Sequence, residues 1–79
     1  MMTFGDALLA LKEGKRVSRS GWNGKGMWLA LQVPDLFSKM TTPYIYIDYP
    51  VDDMQTTGAT GPWVASQTDM LAEDWEIVE

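Results

Sequence analysis

The chain has no cysteine and no histidine among its 79 residues. The first absence removes disulfides and thiol chemistry, the second removes imidazole catalysis, and together they remove the usual zinc sites. No apolar run approaches the ~18 residues of a membrane span, and no targeting segment is visible, so a soluble, cytoplasmic protein is expected. Positive charge is also scarce: six Lys+Arg stand against eleven Asp+Glu, a net charge of −5. That balance argues against nucleic-acid polymers, whose phosphates call for a basic face. It still allows a small anionic ligand in a local pocket. All cations but Lys39 fall between Lys12 and Lys25, whereas the acids concentrate from Asp48 onward, so the N-terminal half carries what positive potential there is.

A chain of this length makes one domain, residues 1–79. A domain so small buries only ~60% of its unfolded surface. Such domains draw on disulfides, a metal or oligomerisation for support. With the first two removed, a homo-oligomer is expected. Four tryptophans, three tyrosines and six methionines supply apolar surface for a subunit interface.

The densest stretch is Arg19-Ser20-Gly21-Trp22-Asn23-Gly24-Lys25-Gly26-Met27-Trp28. Glycine costs ~1 kcal/mol relative to alanine in a helix interior, so these residues suit a loop instead. The backbone there can take positive φ or approach another group closely. Asn23-Gly24 is a strong turn signal. Glycine N–H groups can hold an anion, Lys25 and Arg19 can pair with it, and Trp22 can stack on a ring. The same ten residues also fit a tight hairpin whose tryptophans fill a small core.

Elsewhere the periodicities predict elements. Thr3 caps a helix over 4–13, with Asp6 three residues on and Phe4, Ala7, Leu8 and Leu11 on one face. Gly14 ends it. Strands are predicted over 15–19, with Val17 the one apolar residue pointing in, and over 27–33, where the continuous apolar run suits a central strand or one covered by another subunit. A third strand spans 44–49, with Tyr44, Tyr46 and Asp48 on one face and Ile45, Ile47 and Tyr49 on the other. Segments 35–43 and 52–62 read as loops, and Asp52-Asp53 as a solvated pair rather than metal ligands. A short strand is predicted at 63–65, a helix opened by Ser66-x-x-Asp69 and running to 73, and a last strand at 75–78. The sum is an α+β domain: a small, mostly antiparallel sheet with an N-terminal amphipathic helix and a short C-terminal helix.

No catalytic constellation emerges. Ser66 and Thr68 lack an obvious base, and a solvated helix face accounts for Asp69, Glu73, Asp74 and Glu76. A binding role fits better. The turn Ser66-Gln67-Thr68-Asp69 offers free N–H groups and polar side chains to a ligand, although Ser66 and Asp69 also suffice to cap their own helix.

Two segments together resemble a known family. One runs from Thr3-Phe4-Gly5-Asp6-Ala7-Leu8 through Gly21-Trp22-Asn23-Gly24-Lys25-Gly26-Met27-Trp28; the other is Pro62-Trp63-Val64-Ala65-Ser66-Gln67-Thr68-Asp69-Met70-Leu71-Ala72-Glu73-Asp74-Trp75. The chain is similar to the phage Thoeris anti-defence proteins of the second type, with 34–61 matching less clearly. The resemblance implies a sponge: a homotetramer that sequesters a cyclic ADP-ribose-type signal, glycocyclic ADP-ribose, without cleaving it, in the cytoplasm of the infected bacterial host. Some such proteins also take up cyclic dinucleotides at a separate site. No catalytic residue, cofactor, metal, nucleic-acid polymer or membrane is expected. The expected ligand-binding residues are Arg19, Trp22, Asn23, Gly24, Lys25 and Gly26 on one wall and Ser66, Gln67, Thr68 and Asp69 on the other. The competing readings are an acidic adaptor or inhibitor of a host protein, and a small nucleotide hydrolase.

Overall fold

The computed structural model describes residues 1–22, 26–49 and 59–78. Its first helix, α1 (Phe4–Lys12), is opened by a complete capping box: the Thr3 hydroxyl accepts from the Asp6 N–H, and Asp6 accepts from the Thr3 N–H. Glu13 is the C-cap, and Gly14 follows at φ 87°, the left-handed conformation that suits glycine. Strands β1 (Arg16–Arg19), β2 (Trp28–Gln32), β3 (Tyr44–Tyr49) and β4 (Ala59–Pro62) follow, then α2 (Gln67–Leu71) and β5 (Trp75–Val78). All neighbours pair antiparallel in the order β4-β3-β2-β1-β5, so β2 is the central strand its apolar run suggests.

Register decides which side chains meet. Val17 lies opposite Leu29, and Leu29 opposite Ile47, which aligns three buried residues across the sheet. Helix α1 covers this face with Ala7, Ala10 and Leu11. The other face carries Arg16 over the Trp28 ring at 5.0 Å and Tyr46 edge-on to Trp28 at 6.0 Å. Ser18 is buried as well as Val17, so the small hydroxyl side is also covered.

Two expectations are corrected. The fourth strand is Ala59–Pro62, not 63–65. Gly61-Pro62 reads as a loop, but β4 is an edge strand, and an edge tolerates a residue without an N–H. The Trp63 N–H adds one more bond, to the Ile45 carbonyl at 3.0 Å, before the chain leaves the sheet. Helix α2 stops at Leu71 rather than 73, because Ala72 turns extended at φ −72°, ψ 151°. The tryptophans are largely spoken for inside the chain. Trp75, 3% exposed, is surrounded by Phe4, Trp22 and Trp63 with ring centroids 5.6, 5.4 and 6.1 Å away. Only Trp28 of the four lies on the face away from α1. Asp52-Asp53 and most of the loop at 52–62 lie outside the described residues.

Candidate functional site

Antiparallel pairing of β1 with β5 puts Arg19 opposite Trp75. It therefore brings the end of β1 and the start of the glycine-rich loop against the turn that precedes β5. Helix α2 ends beside the same point. Its capping box repeats that of α1, with Ser66 accepting from the Asp69 N–H and Asp69 accepting from the Ser66 N–H. The Trp75 indole N–H donates to the Asp69 carbonyl at 3.0 Å and ties α2 to the aromatic hub.

Arg19 sits at the centre. Its Nε donates to Asp74 Oδ1 and its Nη1 to Asp69 Oδ1, both at 2.8 Å. Asp69 Oδ1 also accepts from the Trp22 indole N–H at 3.3 Å, while Oδ2 accepts from the Ser66 N–H and hydroxyl at 3.2 and 2.9 Å. Asp74 Oδ2 accepts from the Gly21 N–H at 2.8 Å. The guanidinium fork thus holds two carboxylates that grip the loop at Gly21 and Trp22.

The electrostatics follow from these contacts. Burial opposes ionisation of Asp69, but hydrogen bonds from Arg19, Ser66 and Trp22 outweigh it and hold the carboxyl below its ordinary value. Asp74 is lowered too, first by Arg19 and then by the Gly21 N–H against some desolvation. Hydrogen bonds to Asp74 and Asp69 raise Arg19 further above its already high value. At neutral pH the cluster is one cation between two carboxylates.

Of the sequence-predicted residues, the fold brings Arg19, Trp22, Ser66 and Asp69 into one network. Gln67 and Thr68 stand exposed on the first turn of α2. Gly26 is exposed at φ 82°, the positive φ expected of this loop. Asn23, Gly24 and Lys25 lie outside the described residues. Asp74 is the residue that sequence reasoning passed over; it reads as one of several solvated acids but, with Asp69, holds the network together. Its partners are 53 and 55 positions away, so only the β1–β5 pairing reveals it. Gly21 is the local trace of that contact. A Cβ there would lie 2.7 Å from Asp74 Oδ2, so a side chain at this position displaces the carboxylate that the Gly21 N–H meets. Gly21→Ala is expected to lower the melting temperature by a few degrees and to speed amide exchange at position 21, both measurable on one sample. An unchanged exchange rate would show that Asp74 does not hold the loop.

Two comparisons bear on this arrangement. The chain matches the Thoeris anti-defense 2-like domain over residues 2–78. The chain belongs to this family. It is also 46% identical, over 98% of its length and 94% of the relative's, to the protein named Thoeris anti-defense 2 of Bacillus phage SP01. A role in phage anti-defence follows from membership in the Thoeris anti-defense 2-like family. Among the described residues no helix is long and apolar enough to cross a membrane, and no group of three His, Cys, Asp or Glu is placed to hold a metal.

Proposed function

We propose that the protein is a sponge that binds and sequesters a cyclic ADP-ribose-type immune signal, glycocyclic ADP-ribose, in the cytoplasm of the infected host and releases it chemically unchanged. The observation that carries this reading is the network joining the two motifs. Arg19, Asp69 and Asp74 fix Trp22 and the entrance of the glycine-rich loop against the exposed first turn of α2. One region thus combines an aromatic ring, the entrance of a glycine-rich loop and a polar turn.

The parts have distinct tasks. Trp22 stacks on or walls in the adenine. Lys25, with the N–H groups of Gly24 and Gly26, meets the pyrophosphate, and Asn23 lines the same wall. Ribose hydroxyls and base edges fall to Gln67, Thr68, Ser66 and Asp69, the last sharing oxygens that already hold Trp22 and Ser66. Arg19 serves chiefly by holding the walls together, since two of its nitrogens already donate to carboxylates. Those engaged carboxylates, with lowered pKa values, are poor general bases, which supports binding over hydrolysis. A 79-residue domain has little room to enclose a dinucleotide-sized ligand. A neighbouring copy in a homo-oligomer, a tetramer in this reading, would close the cleft.

The test uses glycocyclic ADP-ribose itself. The protein is mixed with it, washed on a filter that passes small molecules, and heat-denatured. Intact nucleotide in the released fraction is the expected result. A converted product would make the protein a hydrolase. No retention would leave the adaptor reading in its place.

A further inference from the structure

The connection between β2 and β3 places large apolar side chains in water. Val33 is 65% exposed, Leu36 96%, Phe37 93% and Met40 52%. Apolar residues scattered singly on a surface are ordinary, but this group falls within one eight-residue segment, 33–40.

The segment is held in shape by its own polar groups. Asp35 Oδ1 accepts from the Phe37 N–H at 2.8 Å and from the Ser38 hydroxyl at 3.1 Å, while the Ser38 Oγ accepts from the Asp35 N–H at 3.0 Å. The Ser38 N–H donates to the Asp35 carbonyl at 3.2 Å. These bonds fix the turn without burying Leu36 or Phe37. A knob presented this way loses little conformational entropy when it docks.

A recess of about 190 Å³ lies beside the knob, lined by Gln32, Pro34, Ser38, Lys39, Met40 and Tyr44. Gln32 and Tyr44 are cross-strand partners at the end of the central strands. Knob and recess therefore belong to the same short stretch of chain. A surface that carries both offers a knob and a recess to a second copy related by a two-fold axis.

Charge favours the same occupant. Asp35 lies at the base of the knob, and its carboxyl is held below the ordinary value first by the Phe37 N–H and then by the Ser38 hydroxyl. Lys39 lines the recess and is the only Lys or Arg after Lys25 in the sequence. A chain of net charge −5 repels its own copies, and a lysine facing the partner's acid offsets that repulsion where contact is made.

We propose that segment 33–40 is a homotypic docking surface, in which Leu36 and Phe37 of one copy enter the recess of a second copy and accept its knob in return. This inference rests on the reading that the chain self-associates, and not on what it binds. It is accordingly tested without nucleotide.

The first measurement is sedimentation equilibrium at micromolar concentration. The Leu36→Ser/Phe37→Ser variant is expected to show half the assembly mass of the native protein with the same far-UV circular dichroism. Loss of one isologous contact halves a closed assembly of either two or four chains. The second measurement exploits the absence of cysteine. Phe37→Cys protein mixed with Met40→Cys protein, then oxidised, is expected to form the mixed disulfide in preference to each homodisulfide. Val64→Cys, 87% exposed and on another segment, is the control partner for Phe37→Cys. The cysteine pair decides the matter if the serine variant fails to fold. Native protein of single-chain mass overturns the proposal, whatever else the knob then binds. So does an unchanged mass in a folded serine variant, or a mixed disulfide no more abundant than with Val64→Cys. Filter retention of glycocyclic ADP-ribose, run separately on the native protein, tests the sponge reading alone.

Discussion

Trp22→Ala is expected to bind glycocyclic ADP-ribose about ten- to a hundredfold more weakly than the native protein. A base stacked on an aromatic side chain contributes ~1–3 kcal/mol, which corresponds to a loss of that size. The side chain also has work inside the chain. Its ring lies 5.4 Å from Trp75 at 80°, an edge-to-face contact, and its N–H donates to Asp69. Such ring pairs contribute ~0.5–1.5 kcal/mol beyond the area they bury, so some loss of stability is expected alongside the loss of affinity. Two variants separate the roles. Trp22→Phe retains a ring for stacking and for Trp75 but lacks the indole N–H. It should keep most of the affinity if stacking dominates. Calorimetric titration and thermal melting on the same samples give the comparison. If affinity in Trp22→Ala falls only in proportion to the unfolded fraction, Trp22 is a core residue and stacking is not its function.

How far the site was legible depended on the range of each interaction. Both capping boxes were readable, because Thr3 with Asp6 and Ser66 with Asp69 lie three residues apart and bond to each other's backbone. The helix stripe and the alternation through Tyr44–Tyr49 were readable for the same local reason. β4 was not. Its Gly61-Pro62 carries turn chemistry, and only its place at the sheet edge makes a strand of it. The tryptophans illustrate the other limit. Composition shows a surplus of aromatic surface but not its destination, and the pairing of β1 with β5 sends Trp22 and Trp75 to one hub. The same pairing makes Asp69, legible only as a cap and a candidate ligand contact, and Asp74, an apparent surface acid, the partners of Arg19. The residue chemistry of the two motifs points to Asp69 and Arg19 as ligand contacts. The geometry adds that each already has partners within the chain, which neither motif discloses by itself.

That network makes Arg19 the most consequential single position for stability. Loss of its bond to Asp69, between side chains 15% and 13% exposed, costs about 1.5–3 kcal/mol, the range for hydrogen bonds to charged groups. Loss of the bond to Asp74 acts in the same direction. In a domain of this size each 1 kcal/mol is worth roughly 4–8 °C, so Arg19→Ala is expected to melt about 10 °C or more below the native protein at pH 7. Arg19→Lys should recover only part of this, because a single ammonium cannot reproduce the fork that reaches both carboxylates. The pH dependence identifies the cause. Asp69 and Asp74 have lowered pKa values in the folded chain, so their contribution is complete above the ordinary carboxylate value of ~3.9. It is lost as the pH falls through the lowered values, because the unfolded chain then binds the protons more readily. Arg19→Ala lacks much of what acid removes. Its melting temperature should therefore fall less steeply than the native one, and the two curves should converge below about pH 4. A melting deficit that stays constant from neutral pH down to acid would assign Arg19's effect to the packing of its aliphatic stem, not to the two carboxylates.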